Sequence, residues 1–295
     1  THEITGRIRP DGSEMVALDE VEIVSVLNAL REQEVEAVAV CLLWSVVNSA
    51  HEDRIGELIE EYLPGIPYTL SYRINPSLRE FRRASSAAVD ASLKPLMGAY
   101  MNSLQDRLKE AGFNGRVLVI TSNAGVIDAS DAAAAPIHIV NSGPSMAPVA
   151  GRWFADVDEG NNNAIVADTG GTTYDVSLVR RGIIPSTRET WVGEPHRGVM
   201  LGFPWVDVKS VGAGGGSIAW VDSGGLLHVG PQSAGAVPGP VAYGRGGTQP
   251  TVTDASVALG HIDPDFFLGG AMKLDCEAAR EAVRIHVAEP LGIDV

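Results

Sequence analysis

The stretch Ala164-Ile-Val-Ala-Asp168-Thr-Gly170-Gly171-Thr172-Thr173-Tyr-Asp175-Val-Ser-Leu178-Val179 decides how this chain is read. An apolar run delivers an aspartate, a Gly-Gly pair reverses the chain, two hydroxyl residues follow, and a second apolar run leads away. The pattern is that of a β-hairpin, with residues 164–167 as a strand and residues 168–173 as the turn. Gly170 and Gly171 lack a Cβ, so successive backbone N–H groups can approach an anion closely. Thr172 and Thr173 add hydroxyl donors. Asp168 and Asp175 are oxygen acceptors of the kind Mg²⁺ takes, directly or through its water. By itself the segment fits a phosphate-holding turn and an ordinary hairpin, with Asp168 as a turn former, equally well.

Upstream, Ile139-Val-Asn-Ser142-Gly143-Pro144-Ser-Met-Ala-Pro-Val-Ala150-Gly151 joins the end of a strand to a Gly-Pro turn and a helix of small residues, which permits close approach. Downstream, the chain from Gly143 onward holds most of the 33 glycines, clustered at turns between short β-rich runs. In Val211-Gly212-Ala-Gly214-Gly215-Gly216-Ser217, the glycines Gly214, Gly215 and Gly216 can cradle a phosphate or approach a nucleotide base, without the lysine of a Walker-type loop. Asp254, after Thr251-Val-Thr253, reads as the cap of a helix through Val257 and Leu259.

The first half alternates strands and helices. Pro10-Asp11-Gly12 marks a hairpin turn. Val21, Val24, Leu27 and Leu30 recur at helical spacing, and residues 35–43 form a β-branched run typical of a buried parallel strand. Ser49-Ala50-His51-Glu52 has the form of a capping box, opening a helix that stops at Pro64-Gly65. Residues 67–74 read as a strand, residues 77–112 as one long helix or two meeting near Pro95, and residues 116–121 as a strand. Arg79, Arg82 and Arg83 share one helical face, expected to be a salt-bridged surface. The change of texture near residues 136–143 divides the chain into a first α/β lobe, 1–140, and a second, 141–295, that carries the hairpin.

Composition narrows the function classes. Over 295 residues, 45% are hydrophobic and 20% charged, the balance of a globular chain. Apolar runs such as residues 35–47 are too short and mixed to span a bilayer. A formal net charge of −15 repels phosphate backbones, so nucleic acid is a poor partner, and no membrane is expected either. Cys41 and Cys276 stand far apart and outside any C-x-x-C pair, which excludes a zinc ribbon or disulfide framework and fits a reducing, cytoplasmic setting. The histidines lack i, i+4 pairing, and there is no Gly-x-Ser-x-Gly element.

Strand, crossing helix, strand and D-x-G-G-T hairpin, in that order, resemble the actin, heat-shock ATPase and sugar-kinase superfamily. That resemblance implies α/β, ribonuclease H-like lobes, with the hairpin as the second of two phosphate loops. The ordered string over residues 212–254 resembles the hydantoinase A/oxoprolinase family more narrowly. It includes Val229-Gly-Pro231-Gln-Ser233, Tyr243-Gly-Arg245-Gly-Gly247-Thr248 and Pro250-Thr-Val-Thr253-Asp254-Ala255. Asp263-Pro264, Phe267-Leu268-Gly269-Gly270 and Leu78-Arg79-Glu80-Phe81-Arg82-Arg83 belong to the same likeness, which covers nearly all of the chain.

The family implies ATP-dependent chemistry on a carbonyl: opening of a cyclic amide (hydantoin, 5-oxoproline or a lactam), or carboxylation of a ketone. Under that likeness Gly170, Gly171, Thr172 and Thr173 hold the β- and γ-phosphates, with Gly214, Gly215 and Gly216 as further nucleotide contacts. Asp168 is the catalytic aspartate that places Mg²⁺, and Asp175 is its companion metal ligand. A hydantoinase B-type subunit is the implied partner. A non-catalytic ATP-driven clamp is the alternative of a different class, and the string over residues 212–254 favours the enzyme. The family carries a first D-x-G-G-T loop of its own, whereas the one copy here is at Asp168. The expectation is an internal fragment, incomplete at both ends, that by itself binds ATP weakly or not at all and does not hydrolyse it.

Overall fold

A computed structural model describes residues 1–193 and 196–295. The chain forms two compact units: residues 1–149 with 184–207, and residues 150–183 with 208–295. Residues 141–149 and 184–207, which a division at 140 assigns to the second half, thus group with the first unit. Their reason for doing so is apolar: Leu201, Phe203 and Trp205 are buried in one cluster with Ile74, Ala87 and Ile137.

In the first unit, strands Arg7–Ile8 and Glu14–Val16 pair antiparallel across a turn in which Gly12 has φ +83°. Helix Glu20–Glu32 starts at Asp19, whose carboxylate accepts the Glu22 N–H and so satisfies one of the exposed donors of the first turn. Strands Val38–Val40 and Tyr68–Leu70 pair in parallel, with helix Ala50–Tyr62 in the crossover between them. Ile23 and Leu27 from one helix, Ile55, Leu58 and Ile59 from the other, and Val40 and Leu70 from the strands close a single core. Each such side chain contributes about 1.5–3 kcal/mol by leaving water.

Several local expectations change here. The strand predicted over residues 35–43 shortens to Val38–Val40, because the Leu42 N–H donates to Glu52 and its carbonyl accepts from Arg83 instead of continuing a ladder. The strand predicted over 67–74 ends at Leu70 and gives way to a helical turn, Ser71–Ile74. The capping box at Ser49 does not form. The Ser49 hydroxyl donates to the Asp53 carboxylate at 2.7 Å and makes no cap bond. Glu52 points into the core, where the Leu42 N–H and the Ser71 hydroxyl satisfy it at 2.8 and 2.7 Å. Arg83 is fully buried, not part of a surface ion-pair face.

The long helix runs unbroken from Glu80 to Glu110 with Pro95 inside it, and Gly112 just beyond has φ +88°. The strand expected over 116–121 is Leu118–Ile120, paired antiparallel with Val126–Asp128. Where a strand end was expected at Ile139, the chain makes a 3₁₀ turn, Pro136–Ile139.

The second unit is built on a three-stranded antiparallel sheet in the order Val208–Val211, Tyr174–Val179, Ala164–Thr169. Gly151, in helix Ala147–Glu159, packs against this sheet so closely that a Cβ would lie 2.2 Å from Val166 Cγ2. Strands Ser217–Val221 and Leu227–Ser233 form a second hairpin. Helices Val252–Ala258 and Cys276–Val283 close the core through Val257 and Ala279, with Ala242 and Leu274. Asp254 is not the helix cap. Thr251 occupies that position, and Asp254 stands at N3, completing a capping box while also accepting the Val241 and Ala242 N–H groups. Among the described residues no helix is long and apolar enough to cross a membrane.

Candidate functional site

The two strands Ala164–Thr169 and Tyr174–Val179 are in register with Asp168 opposite Asp175 and Thr169 opposite Tyr174. The hairpin is as predicted, but the strand runs through Asp168 and Thr169, and the reversal is confined to Gly170, Gly171, Thr172 and Thr173. It is closed by the Gly170 N–H on the Thr173 carbonyl at 2.9 Å. Asp168 is therefore a strand residue, not a turn former.

Directly opposed residues of an antiparallel pair share a face, so both carboxylates project to the same side of the hairpin. Asp168 is exposed and Asp175 is buried. One oxygen of Asp175 accepts the Thr173 hydroxyl at 3.2 Å, and the other, Oδ1, is buried with no hydrogen-bond partner. Leaving such an acceptor unmet costs about 1–3 kcal/mol, and two like charges in opposition add to that. A cation relieves both. No group of three or more histidine, cysteine or carboxylate side chains forms a cage among the described residues. A carboxylate pair suits Mg²⁺, which keeps several of its waters.

The turn itself presents donors. The N–H groups of Gly171, Thr172 and Thr173 meet no protein acceptor among the described residues. Its carbonyls are met from Gly214, Gly215 and Gly216: Gly215 N–H to Gly170 O at 2.9 Å, Gly216 N–H to Gly171 O at 2.7 Å, and Gly214 N–H to Thr172 O at 3.3 Å. None of these three glycines has positive φ; what requires glycine is proximity. A Cβ on Gly214 would lie 2.5 Å from both the Thr172 carbonyl carbon and the Thr173 nitrogen, and one on Gly216 2.9 Å from Gly171 O. The N–H groups of the glycine string are thus taken up by the carbonyls of the turn, whose own N–H groups stay open.

Gly170, Gly171 and Thr172 line a cleft of about 520 Å³ together with Gly215 and Gly216. The rest of its wall includes the hydroxyl residues Ser233, Thr253 and Ser256 and the apolar Pro240, Tyr243, Val252 and Ile262. Among the described residues no charged side chain lines it. Asp168, Asp175, Thr173 and Gly214 adjoin the turn but are not on that wall. Sequence reasoning missed Tyr243, Thr253, Ser256 and Ile262 as cleft residues. The first two fall within the string over 212–254; Ser256 and Ile262 carried no signal, since an apolar or hydroxyl wall residue looks like any other.

Residues 83–295 match the Hydantoinase/oxoprolinase family, and residues 1–63 match the Hydantoinase/oxoprolinase N-terminal region. The chain belongs to the hydantoinase/oxoprolinase family, as the residues themselves indicated. It is 40% identical to caprolactamase subunit alpha of Pseudomonas jessenii, over 99% of this chain and 41% of that protein. It is 38% identical to the acetophenone carboxylase gamma subunit of Aromatoleum aromaticum, over 98% of this chain and 39% of that protein. The crystal structure of ATP-dependent caprolactamase from Pseudomonas jessenii matches with a TM-score of 0.77 at 39% identity, covering 99% of this chain and 41% of that one. The chain therefore spans about two fifths of the length of these relatives, and its fold is the mixed helix-and-strand fold of that enzyme.

Proposed function

We propose that this chain carries the nucleotide-binding part of an ATP-dependent enzyme that opens a cyclic amide by phosphorylating its carbonyl oxygen. The observation that carries the reading is the donor-only turn: among the described residues the N–H groups of Gly171, Thr172 and Thr173 meet no protein acceptor, and Gly171 and Thr172 line a cleft with an apolar side. Such a surface suits a ligand with an anionic part and a flat apolar part, which describes a nucleotide. The antiparallel three-stranded sheet that ends in this hairpin is consistent with a lobe of the actin and sugar-kinase type.

Phosphoryl transfer asks little covalent chemistry of a protein; it asks for position and for charge placed where the transition state needs it. The three N–H groups receive phosphate oxygens, and the walls of Pro240, Tyr243, Val252 and Ile262 cover the base and keep water from it. Asp168 and Asp175 are the residues that would hold Mg²⁺, which when bound would neutralise charge on the transferred group. Asp168 is exposed for contact, while Asp175 is held by Thr173 and orients its free oxygen without reaching solvent. The likeness to a caprolactamase subunit favours a lactam, with hydantoin and 5-oxoproline as the other cyclic amides we propose. The likeness to an acetophenone carboxylase subunit supports a second reading, ketone carboxylation through the same phosphorylated oxygen. Both relatives are named as subunits, and a hydantoinase B-type subunit is the partner we propose.

The test is Asp168→Asn in the full-length protein with its partner subunit. The expected result is an unchanged unfolding midpoint and ATP turnover lower by roughly 10²–10³. Wild-type turnover in a folded variant would remove Asp168 from the chemistry. Stimulation of ATP turnover by a cyclic amide supports the hydrolase, and stimulation by a ketone with bicarbonate supports the carboxylase.

A further inference from the structure

A trans peptide unit points its C=O and its N–H in opposite directions. The carbonyl of Gly170 and the N–H of Gly171 belong to one such unit, as do Gly171 O with Thr172 N–H and Thr172 O with Thr173 N–H. The three carbonyls that receive the N–H groups of Gly215, Gly216 and Gly214 are therefore the far ends of the same peptide units whose N–H groups are open. Holding each unit from behind fixes its donor toward the other side. Without that hold, a half rotation of any one unit would turn a carbonyl oxygen toward the anion.

The holding groups are themselves held, by the same alternation. Gly215 O accepts both the Thr253 N–H at 2.8 Å and the Thr253 hydroxyl at 2.9 Å. The N–H of that same peptide unit belongs to Gly216 and donates to Gly171 O at 2.7 Å, whose unit ends in the Thr172 N–H. A parallel line runs from the Ala234 N–H to Gly216 O at 2.8 Å and from the Ser217 N–H to Gly214 O at 2.9 Å. It continues from the Gly215 N–H to Gly170 O at 2.9 Å, and so to the Gly171 N–H. The Ser217 hydroxyl adds a second donor to Thr172 O at 3.2 Å. Chains of this kind polarise their members, so that the terminal donor is strengthened as well as aimed.

We infer that Thr253 is a positioning residue for phosphate binding, acting through the relay Thr253, Gly215–Gly216, Gly171–Thr172 on the Thr172 N–H. The inference rests on the nucleotide reading above and adds to it the residue that sets the turn's geometry. Its signature is selectivity along the ligand: loss of the Thr253 hydroxyl weakens contacts to phosphate and leaves contacts to the nucleoside alone.

The experiment measures binding of ATP with Mg²⁺ and of adenosine, by calorimetry or competition, to the full-length wild type, Thr253→Val and Thr253→Ser. Valine keeps the shape and removes the donor; serine keeps the donor. Thr253→Val is expected to lose about three- to tenfold in ATP affinity, the scale of one hydrogen bond, with adenosine affinity unchanged. Thr253→Ser is expected to restore ATP affinity. Adenosine binding also reports that the variant is folded. Equal losses for ATP and adenosine, or no loss for ATP, would overturn the relay while the nucleotide reading stood. A wild type that binds neither ligand would overturn the nucleotide reading and the relay with it.

Discussion

Glu52 and Arg83 in the first unit and the Gly170–Thr173 turn in the second are both concentrations of strong hydrogen-bonding groups, and they are built in opposite ways. Glu52 and Arg83 are fully buried and joined through intermediates. The Ser71 hydroxyl donates to Glu52 at 2.7 Å and accepts from Arg83 Nε at 2.9 Å. The Leu42 backbone does the same with two groups, its N–H on Glu52 and its carbonyl under Arg83 Nη2. Arg83 Nη1 donates to Ser77 O at 3.1 Å. Charge meets charge through matched groups, and the network is closed. In the turn, by contrast, the carbonyls are met by backbone N–H groups, and the groups left open, among the described residues, are the backbone N–H donors of Gly171, Thr172 and Thr173. A closed buried network serves the fold, because unmatched charge in a core is costly. An array of one polarity, held open, is suited to a ligand that brings the other.

Breaking the closed network gives the largest expected effect on stability. Arg83→Ala removes the cation that offsets the buried Glu52 and the donors to the Ser71 hydroxyl and the Ser77 and Leu42 carbonyls, and is expected to lower stability by about 3–5 kcal/mol. Denaturant unfolding measures it, and a loss under 1 kcal/mol would show that the network is not closed in the sense described. Glu52→Gln combined with Arg83→Met should cost less than the sum of the single changes, since each then leaves no charge unmatched.

The open array is sharpened by two glycines of different kind. Gly214→Ala drives a Cβ into the Thr172–Thr173 peptide at 2.5 Å and is expected to cost about 1–3 kcal/mol, with loss of nucleotide binding. At Gly171 a Cβ meets nothing within 4 Å, and φ is not positive. Gly171→Ala is expected to leave stability within about 0.5 kcal/mol of wild type yet weaken ATP binding, because the methyl group stands at the donor surface. Thermal unfolding beside ATP titration separates the two; equal stability losses would erase the distinction between a glycine that packs and a glycine that binds.

The smallest effect belongs to His138, whose ring lies edge-on to Phe203 with centroids 5.0 Å apart. Burial pushes its imidazole below the ordinary histidine range, and the negative charge of Asp90 offsets part of that. The fold therefore keeps His138 neutral where the unfolded chain takes up a proton. Stability rises with pH between the depressed folded value and the ordinary one near 6.5, and is lost as the pH falls through that window. Urea midpoints at about pH 7.5 and 5.5 should converge in His138→Gln relative to wild type. An identical pH slope in the two proteins would mean that burial does not govern this residue.

The hairpin was legible because its information is local. Alternation of Val166, Asp168, Val176 and Leu178 with a Gly-Gly pair between them leaves one register and one place to turn. Glu52 was not legible for the opposite reason. Ser49-x-x-Glu52 is written identically whether the carboxylate turns back to its own helix start or inward, and the choice was made by Leu42 and Ser71. Arg83 misled in the same way, since helical spacing names a face and says nothing of what covers it. Gly214, Gly215 and Gly216 announced a close approach without naming the neighbour, which turned out to be the hairpin's own backbone.

The sequence by itself determined the family, the D-x-G-G-T hairpin and the residue types available to hold an anion. Those are properties of short ordered strings, where steric limits on φ and the alternation of side chains act between neighbours. The tertiary structure decided which of those groups remain open. Gly216 was brought within 2.7 Å of Gly171, and Thr253 within 2.9 Å of Gly215, by packing between segments 38 to 45 positions apart. A peptide group's availability depends on what stands behind it, and only the folded chain puts anything there.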